Sequence, residues 1–248
     1  MKITALTLFL SLISSPLFSS EVTITNNGKT TTTTGEVITI KNGTITINGR
    51  ALAGNITQGS GEFSTETRNL PNFTELHLGI AADVTIISGE KSKCQISADD
   101  NLLPLILTES RGHSLRISAK DNYSSARKIA IKLETPLLTR TENNGSGRIT
   151  IAEVTRDKIE LVINGSGDIT ANGKVLELNA EINGSGSVHA KNLQADIVKI
   201  NINGSGNADV NSTDALTAKI NGSGNIHYIG KPPKVDTRVT GSGTILNK

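Results

Sequence analysis

The chain has 248 residues, a formal net charge of +2 at pH 7, 24 glycines and no tryptophan, and aromatic residues make up 2% of it. The lysines and arginines do not cluster into a basic stripe, so the composition argues against a nucleic-acid-binding protein. Large aromatic side chains dominate most globular cores, and their scarcity is more typical of a thin core built from small aliphatic residues.

The first twenty residues predict an export signal. Lys2 precedes a mostly apolar run over residues 3–13, which has the length of a signal-peptide core and is too short to span a bilayer. Pro16 ends the run, and a cleavage site is expected near Ser19 or Ser20. We therefore expect residues 1–20 to be a signal peptide and the mature chain to be exported, to the periplasm, the cell surface or the medium, without a transmembrane segment.

Residues 21–58 differ in pattern from the rest of the chain and are interpreted as an N-terminal extension. Residues 37–41 and 44–48 alternate between apolar and polar side chains on either side of Asn42-Gly43. This dipeptide favours a type I′ turn, so the pattern predicts a β-hairpin. A first Gly-Ser-Gly triplet at residues 59–61 marks the expected start of the main domain, residues 59–248.

Short strand patterns continue from Phe63 to Thr139, and no stretch predicts an amphipathic helix of any length, although residues 99–107 could hold a short turn. Cys94, the only cysteine, lies in one of these patterns. It is either a reactive or intermolecular thiol or a small apolar residue packed in a strand. We favour the second interpretation because its neighbours alternate as in a half-buried strand.

The most informative motif is a Gly-Ser-Gly triplet that recurs through the C-terminal half. It begins at Gly145, Gly165, Gly184, Gly204, Gly222 and Gly241, an interval close to 19 residues. Two residues before these triplets stand Ile163, Ile182, Ile202 and Ile220, and apolar residues also recur four and six residues before most of them. A fixed period indicates stacked repeats, and the alternation indicates strands with one buried face.

Stacking such repeats in register places like residues over like. The sequence therefore predicts an all-β fold, a right-handed parallel β-solenoid with about 19 residues per repeat in the C-terminal half. The isoleucines are expected to form an inward ladder. The alternative is an antiparallel sandwich with tight hairpins, because Asn-Gly is also a hairpin signal.

An asparagine precedes the triplet in five of the repeats, at positions 144, 164, 183, 203 and 221. In a solenoid these side chains can hydrogen-bond to one another along the axis. Asn-Gly-Ser also matches a glycosylation site, but the turn itself favours these residues. A calcium-binding array would need an aspartate after every triplet, and only Asp168 occupies that position.

One group of residues is a candidate metal or proton-transfer site. His189, Asp209 and His227 occupy equivalent positions in successive repeats, so stacking brings them side by side at about 5 Å spacing. The simpler interpretation is a solvated polar row, and our prediction is that the chain has no metal site, cofactor or catalytic residue. The serines of the triplets are explained by turn geometry and have no fixed histidine partner.

The order of these signals resembles the head GIN domain family of exported bacterial proteins, which carries an auto-transporter adhesin label and has an uncertain function. The resembling segments are residues 68–76, 82–86, 100–103, 114–117 and 134–138, then the Asn-Gly-Ser-Gly repeats and residues 222–233. The resemblance covers roughly residues 60–248. It implies a β-helical fold and an exported, surface-exposed protein, and it supplies no catalytic residues.

These observations leave two classes of function. The first, which we favour, is a non-enzymatic binding or structural module whose lateral face recognises a protein or glycan at the cell envelope. The open edge of the last coil, residues 244–247, is a second possible contact for a partner or another copy. The alternative is a hydrolase or lyase of envelope polysaccharide on a β-helical scaffold, although such an enzyme usually offers aromatic platforms, and aromatic residues are scarce in this chain.

Overall fold

The computed structural model describes residues 56–248 in full and, before them, the backbone of residues 21–26, 29–35, 37–41, 44–47 and 50–51. The chain divides into two compact units, residues 1–56 and 57–248. The predicted signal peptide lies outside the described residues. No helix in the described part of the chain is long and apolar enough to cross a membrane.

The first unit contains a five-stranded sheet. Its strands are β1 (Glu21–Asn26), β2 (Lys29–Gly35), β3 (Val37–Lys41), β4 (Thr44–Ile47) and β5 (Arg50–Ala51), in the order β2-β1-β3-β4-β5. Strands β3 and β4 are antiparallel, with Lys41 opposite Thr44. The two arms of the expected hairpin are thus paired, while its turn, Asn42-Gly43, lies outside the described residues.

The second unit begins with short strands and a single-turn 3₁₀ helix, Leu103–Leu105. The strands are β6 (Thr57–Gln58), β7 (Phe63–Asn69), β8 (Glu75–Leu78), β9 (Ala82–Ser88), β10 (Lys93–Asp99), β11 (Ile106–Arg111), β12 (Ser114–Ala119), β13 (Tyr123–Ser124), β14 (Ile129–Thr135) and β15 (Arg140–Asn143). Longer strands then carry the repeats: β16 (Arg148–Ile163), β17 (Asp168–Gly184), β18 (Ser187–Gly204), β19 (Asn207–Gly222), β20 (Asn225–Ile229), β21 (Lys234–Gly241) and β22 (Thr244–Asn247).

The repeats wind into a β-solenoid of about five turns, which confirms the predicted fold class. Strands β16 to β19 pair in parallel with their successors, β19 pairs in parallel with β20 and β21, and β20 pairs in parallel with β22. The alternative of an antiparallel sandwich is therefore wrong for the repeat region.

Each turn presents two main faces on either side of the Gly-Ser-Gly corner. We call face A the segments that precede the corners, residues 140–143, 158–163, 177–182, 197–202, 215–220 and 234–239, together with β8, which pairs with residues 140–143. Face B comprises the segments that come after them, residues 148–151, 168–171, 187–190, 207–210, 225–228 and 244–247. Both faces alternate buried and more exposed residues, so each gives one set of side chains to the core.

The isoleucine ladder is confirmed. Ile163, Ile182, Ile202 and Ile220 are paired one above the next, and each is fully buried. The ladder continues to Val239 on β21. Because every level repeats the same shape, branched side chains of one level pack on those of the level below.

The corners stack by close backbone contact. The amides of Ser185 and Gly186 both donate to the carbonyl oxygen of Gly165, at 3.1 and 3.2 Å. A Cβ atom on Gly206 would lie 2.6 Å from Cγ2 of Ile182 and closer still to the carbonyl oxygen of Gly186. The second glycine of the triplet is therefore required by space.

The half before the repeats differs from uninterrupted parallel winding. Strand β12 pairs in parallel with β8, and β14 pairs in parallel with β9. Strands β12 and β14 come later in the sequence than β8 and β9, but they lie one level closer to the N-terminal end of the stack. Strands β10 and β7 are antiparallel, as are β10 and β14, and β11 and β12. The short turn around Gly112, with φ +61°, reverses the chain between β11 and β12. Such a turn joins antiparallel strands, whereas parallel neighbours need a longer crossover.

We expect Ile202→Ala to lower the free energy of unfolding by about 2–5 kcal/mol, because a cavity in the middle of a regular stack has little room to collapse. Asn201→Ala, an exposed position on the same strand, is the matched control and should change stability by less than about 0.5 kcal/mol. Chemical denaturation measured by circular dichroism gives both values. Equal effects of the two substitutions would show that Ile202 does not point into the core as described.

We expect Gly206→Ala to destabilise the protein by about 1–3 kcal/mol, because a methyl group has no space at the corner. The control is Gly79→Ala, where a Cβ would lie 3.4 Å from the nearest heavy atom, the carbonyl oxygen of Ile117. The melting temperature of each variant checks the difference. A Gly206→Ala protein as stable as Gly79→Ala would contradict the proposed role of the corner.

Candidate functional site

The structure brings the three predicted site residues together on face B. His189 is paired with Asp209, and Asp209 with His227, on consecutive levels. Nδ1 of His227 lies 3.3 Å from Oδ1 of Asp209, and Nδ1 of His189 lies 3.7 Å from Oδ2 of the same carboxylate. The juxtaposition results from the repeat register, because all three residues occupy the same position within their turns.

The geometry of this row favours pairing between its members. Asp209 has one imidazole nitrogen near each of its oxygens, and half of the His189 side chain is exposed. Within the described residues, no group of three or more His, Cys, Asp or Glu side chains is arranged to hold a metal ion. That the chain has no metal or catalytic site stays a prediction.

A second row runs beside the first on face B. Its members after Asp168 are Ser187, Asn207, Asn225 and Thr244. The amide of Asn225 donates to Oδ1 of Asn207 at 3.1 Å, and the hydroxyl of Thr244 donates to Oδ1 of Asn225 at 2.7 Å. Face B therefore presents two adjacent rows of hydroxyl, amide, imidazole and carboxylate groups at the inter-strand spacing.

Face A is bordered by the predicted asparagine ladder, which is confirmed. Each side-chain amide donates to the carbonyl oxygen of the asparagine one level below, at distances of 2.8–3.0 Å. The ladder comprises Asn144, Asn164, Asn183, Asn203 and Asn221. These amides satisfy one another, which supports the structural interpretation of the repeated asparagine.

Face A also holds a charged cluster that the sequence alone does not predict. Nδ1 of His77 and Nη2 of Arg140 both lie 3.1 Å from Oε2 of Glu142, and Arg140 also pairs with Glu160. Burial alone would raise the pKa of Glu142, but hydrogen bonds from Asn144 and Arg140 and the neighbouring positive charges outweigh it, so the pKa lies below its usual value. The cluster is assembled by the parallel pairing of β8 with β15, which no repeat signal reveals.

Cys94 and the serines of the triplets differ in their exposure. Cys94 is fully buried, and burial raises the pKa of its thiol to about 11, which makes it a poor nucleophile. This supports the packed-residue interpretation. The serines of the six repeat triplets are all exposed at the corners.

The fold defines the class of this protein, a parallel β-solenoid with flat polar faces. Residues 72–232 match the model of the family described as "Putative auto-transporter adhesin, head GIN domain". The chain therefore belongs to this family, which the sequence resemblance predicted.

Solved structures show the same fold at low sequence identity. A putative adhesin from Bacteroides fragilis is 23% identical and superposes with a TM-score of 0.65, over 77% of this chain and 99% of the other. A putative lipid binding protein from Parabacteroides distasonis is 24% identical, with a TM-score of 0.51 over 77% of this chain and 99% of the other. Another structure from that species, a putative adhesin, is 22% identical with a TM-score of 0.50 over the same shares. Among curated proteins, none matches this chain.

Titration with Zn²⁺ or Ni²⁺, measured by isothermal calorimetry, is expected to show no saturable binding that depends on the row of His189, Asp209 and His227. The physical reason is that the imidazole nitrogens lie against the oxygens of Asp209, and no group of three or more ligands among the described residues is arranged to hold a metal ion. Asp209→Asn and His227→Ala serve as comparison variants. Saturable binding by the native protein that both variants lose would establish a metal site and contradict the prediction.

Proposed function

We propose that the protein is an exported, non-enzymatic, adhesin-like module that binds a partner at the cell envelope through face B. The observation that carries the proposal is the pair of adjacent polar rows on this face, which repeat at the inter-strand spacing. The adhesin names of the family and of several structural neighbours support an adhesin-like role. The expected signal peptide supports export.

Face B is better suited to a partner than face A. On face A many charged groups are engaged with one another: Glu177, for example, accepts from Lys199 at 3.1 Å and lies 3.5 Å from Lys158. The hydrogen bond from Lys199, with the charges of both lysines, holds the pKa of Glu177 below its usual value despite some desolvation. A partner there would have to displace ion pairs.

Apart from the contacts of Asp209 with His189 and His227, face B offers hydroxyl and amide groups that can hydrogen-bond outward without displacing ion pairs. Thr150 and Thr170 continue the row of His189, and both are partly exposed. Hydroxyl and amide groups act as both donors and acceptors, so a flat row of them can match the hydroxyls of a glycan or the polar groups of a protein. The strands hold these groups in fixed positions, and this rigidity reduces the entropy that binding must overcome.

The proposal is tested with two matched arginine substitutions in neighbouring strands. Asn207→Arg places a long charged side chain on face B, and Asn201→Arg places the same side chain on face A, both at exposed asparagines. We expect Asn207→Arg to weaken binding of the exported protein to envelope fractions by about tenfold or more, which corresponds to about 1.4 kcal/mol. Asn201→Arg should bind as the native protein does.

Binding is measured by sedimentation with envelope fractions and on an array of glycans, which separates a glycan partner from a protein partner. Equal loss in both variants, or no loss in either, would contradict the assignment to face B. The same protein is incubated with envelope polysaccharides. Turnover that Asp209→Asn abolishes would replace the binding module with the alternative, a polysaccharide hydrolase or lyase.

A further inference from the structure

The two ends of the solenoid are finished differently. At the N-terminal end, the inward positions of β7 are polar: Ser64, Glu66 and Arg68 lie opposite the buried Ala98, Ile96 and Cys94 of β10. The guanidinium of Arg68 donates to the carbonyl oxygens of Ile106 and Leu103 at 2.6 and 3.0 Å and pairs with Glu66 at 3.0 Å. Charged groups thus close this end of the core.

At the C-terminal end the inward positions of β21 are largely apolar and open. Val235, Thr237 and Val239 are paired with the buried Leu216, Ala218 and Ile220 of β19 and belong to the same inward columns. The exposed fractions of Val235 and Val239 are nevertheless 48% and 41%. Within the described residues, β21 pairs with β19 alone, so its other edge presents unpaired backbone groups. Such an edge is a template for another strand.

The sequence of β21 is complementary to itself when it is read in the antiparallel direction around Thr237. In that register Val235 faces Val239 of a second copy, and Asp236 faces Arg238 of that copy. Thr237 faces its own equivalent, and Lys234 faces Thr240. Inward residues meet inward residues and outward residues meet outward residues, because the register is symmetric about a residue of one face.

We propose that β21 forms an antiparallel pair with β21 of a second copy, with the twofold axis at Thr237, so that two solenoids join end to end at their C-terminal edges. The contact covers Val235 and Val239 and forms two Asp236–Arg238 ion pairs across the axis. The inference goes beyond the proposed binding function and does not depend on it.

A closed pair is favoured over an open filament. Head-to-tail stacking would place the apolar positions of β21 against β11, the terminal strand of the same face, whose inward positions Thr108 and Ser110 are polar. An isologous contact instead places apolar inward positions against apolar inward positions and ends with the dimer. The edge strand β22 lies at the same end of the stack, and its partly exposed Ile245 is paired with the buried Ile226 and so adds an apolar inward position there.

The test uses the charge pair, because Asp236 and Arg238 are both exposed and their substitution leaves the core intact. In a dimer of Asp236→Arg, the new arginine of each copy faces Arg238 of the other copy. In a dimer of Arg238→Asp, the new aspartate of each copy faces Asp236 of the other copy. We expect the exported full chain to sediment as a dimer, and each single variant to dimerise about tenfold or more weakly, because opposite charges across strands stabilise and like charges destabilise the pair.

Mixing the two single variants supplies the decisive measurement. One copy then carries two arginines and the other two aspartates, so only a mixed dimer restores both ion pairs. The double variant Asp236→Arg/Arg238→Asp restores both ion pairs in its own dimer. Analytical ultracentrifugation with one variant fluorescently labelled measures both. If the native protein stays monomeric at tens of micromolar, the proposal is overturned, whether another segment covers the edge of β21 or the edge stays uncovered. Single variants that dimerise as well as the native protein would also overturn it.

Discussion

The close backbone contact at the Gly-Ser-Gly corner is the constraint on which the rest of the solenoid depends. Each corner lies directly on the one below, with amides donating to the carbonyl oxygen of a glycine in the preceding turn. A side chain on the second glycine would separate the turns, as the 2.6 Å distance from a Cβ of Gly206 to Ile182 shows. Because the corners cannot slide, residues at equal distances from them meet on every level. The isoleucine and asparagine ladders are consequences of that register.

The same register converts sequence positions into surface rows. The third residue after the last glycine of a triplet points outward on face B, next to its equivalents above and below. His189, Asp209 and His227 therefore meet although they are 18–20 residues apart. The core and the corners use the inward positions and the glycines, so outward positions can change without altering the fold. Binding specificity in such a protein can vary row by row.

The repeat region could be predicted from the sequence, because period and alternation identify the inward ladder, the corners and the rows. The half before the repeats could not. There, β12 and β14 lie one level before β8 and β9, and this order depends on long-range pairing that no local pattern specifies. The cluster of His77, Arg140 and Glu142 was missed for this reason. Asn143 is similar: it occupies the isoleucine position of its level, fully buried, and donates to the carbonyl oxygen of Gly147 at 2.7 Å.

The ends of the stack show why a solenoid needs features that its repeats cannot provide. An internal turn is covered by neighbours on both sides, so identical turns suffice, but a terminal turn exposes one side of its core. At the N-terminal end, β7 runs antiparallel to β10, and its inward side chains, which include charged ones, cover the last core layer. This end departs from the repeat because a repeat unit would carry apolar residues at those positions. The identical turns therefore form the faces, and a segment that differs from the repeat ends the stack.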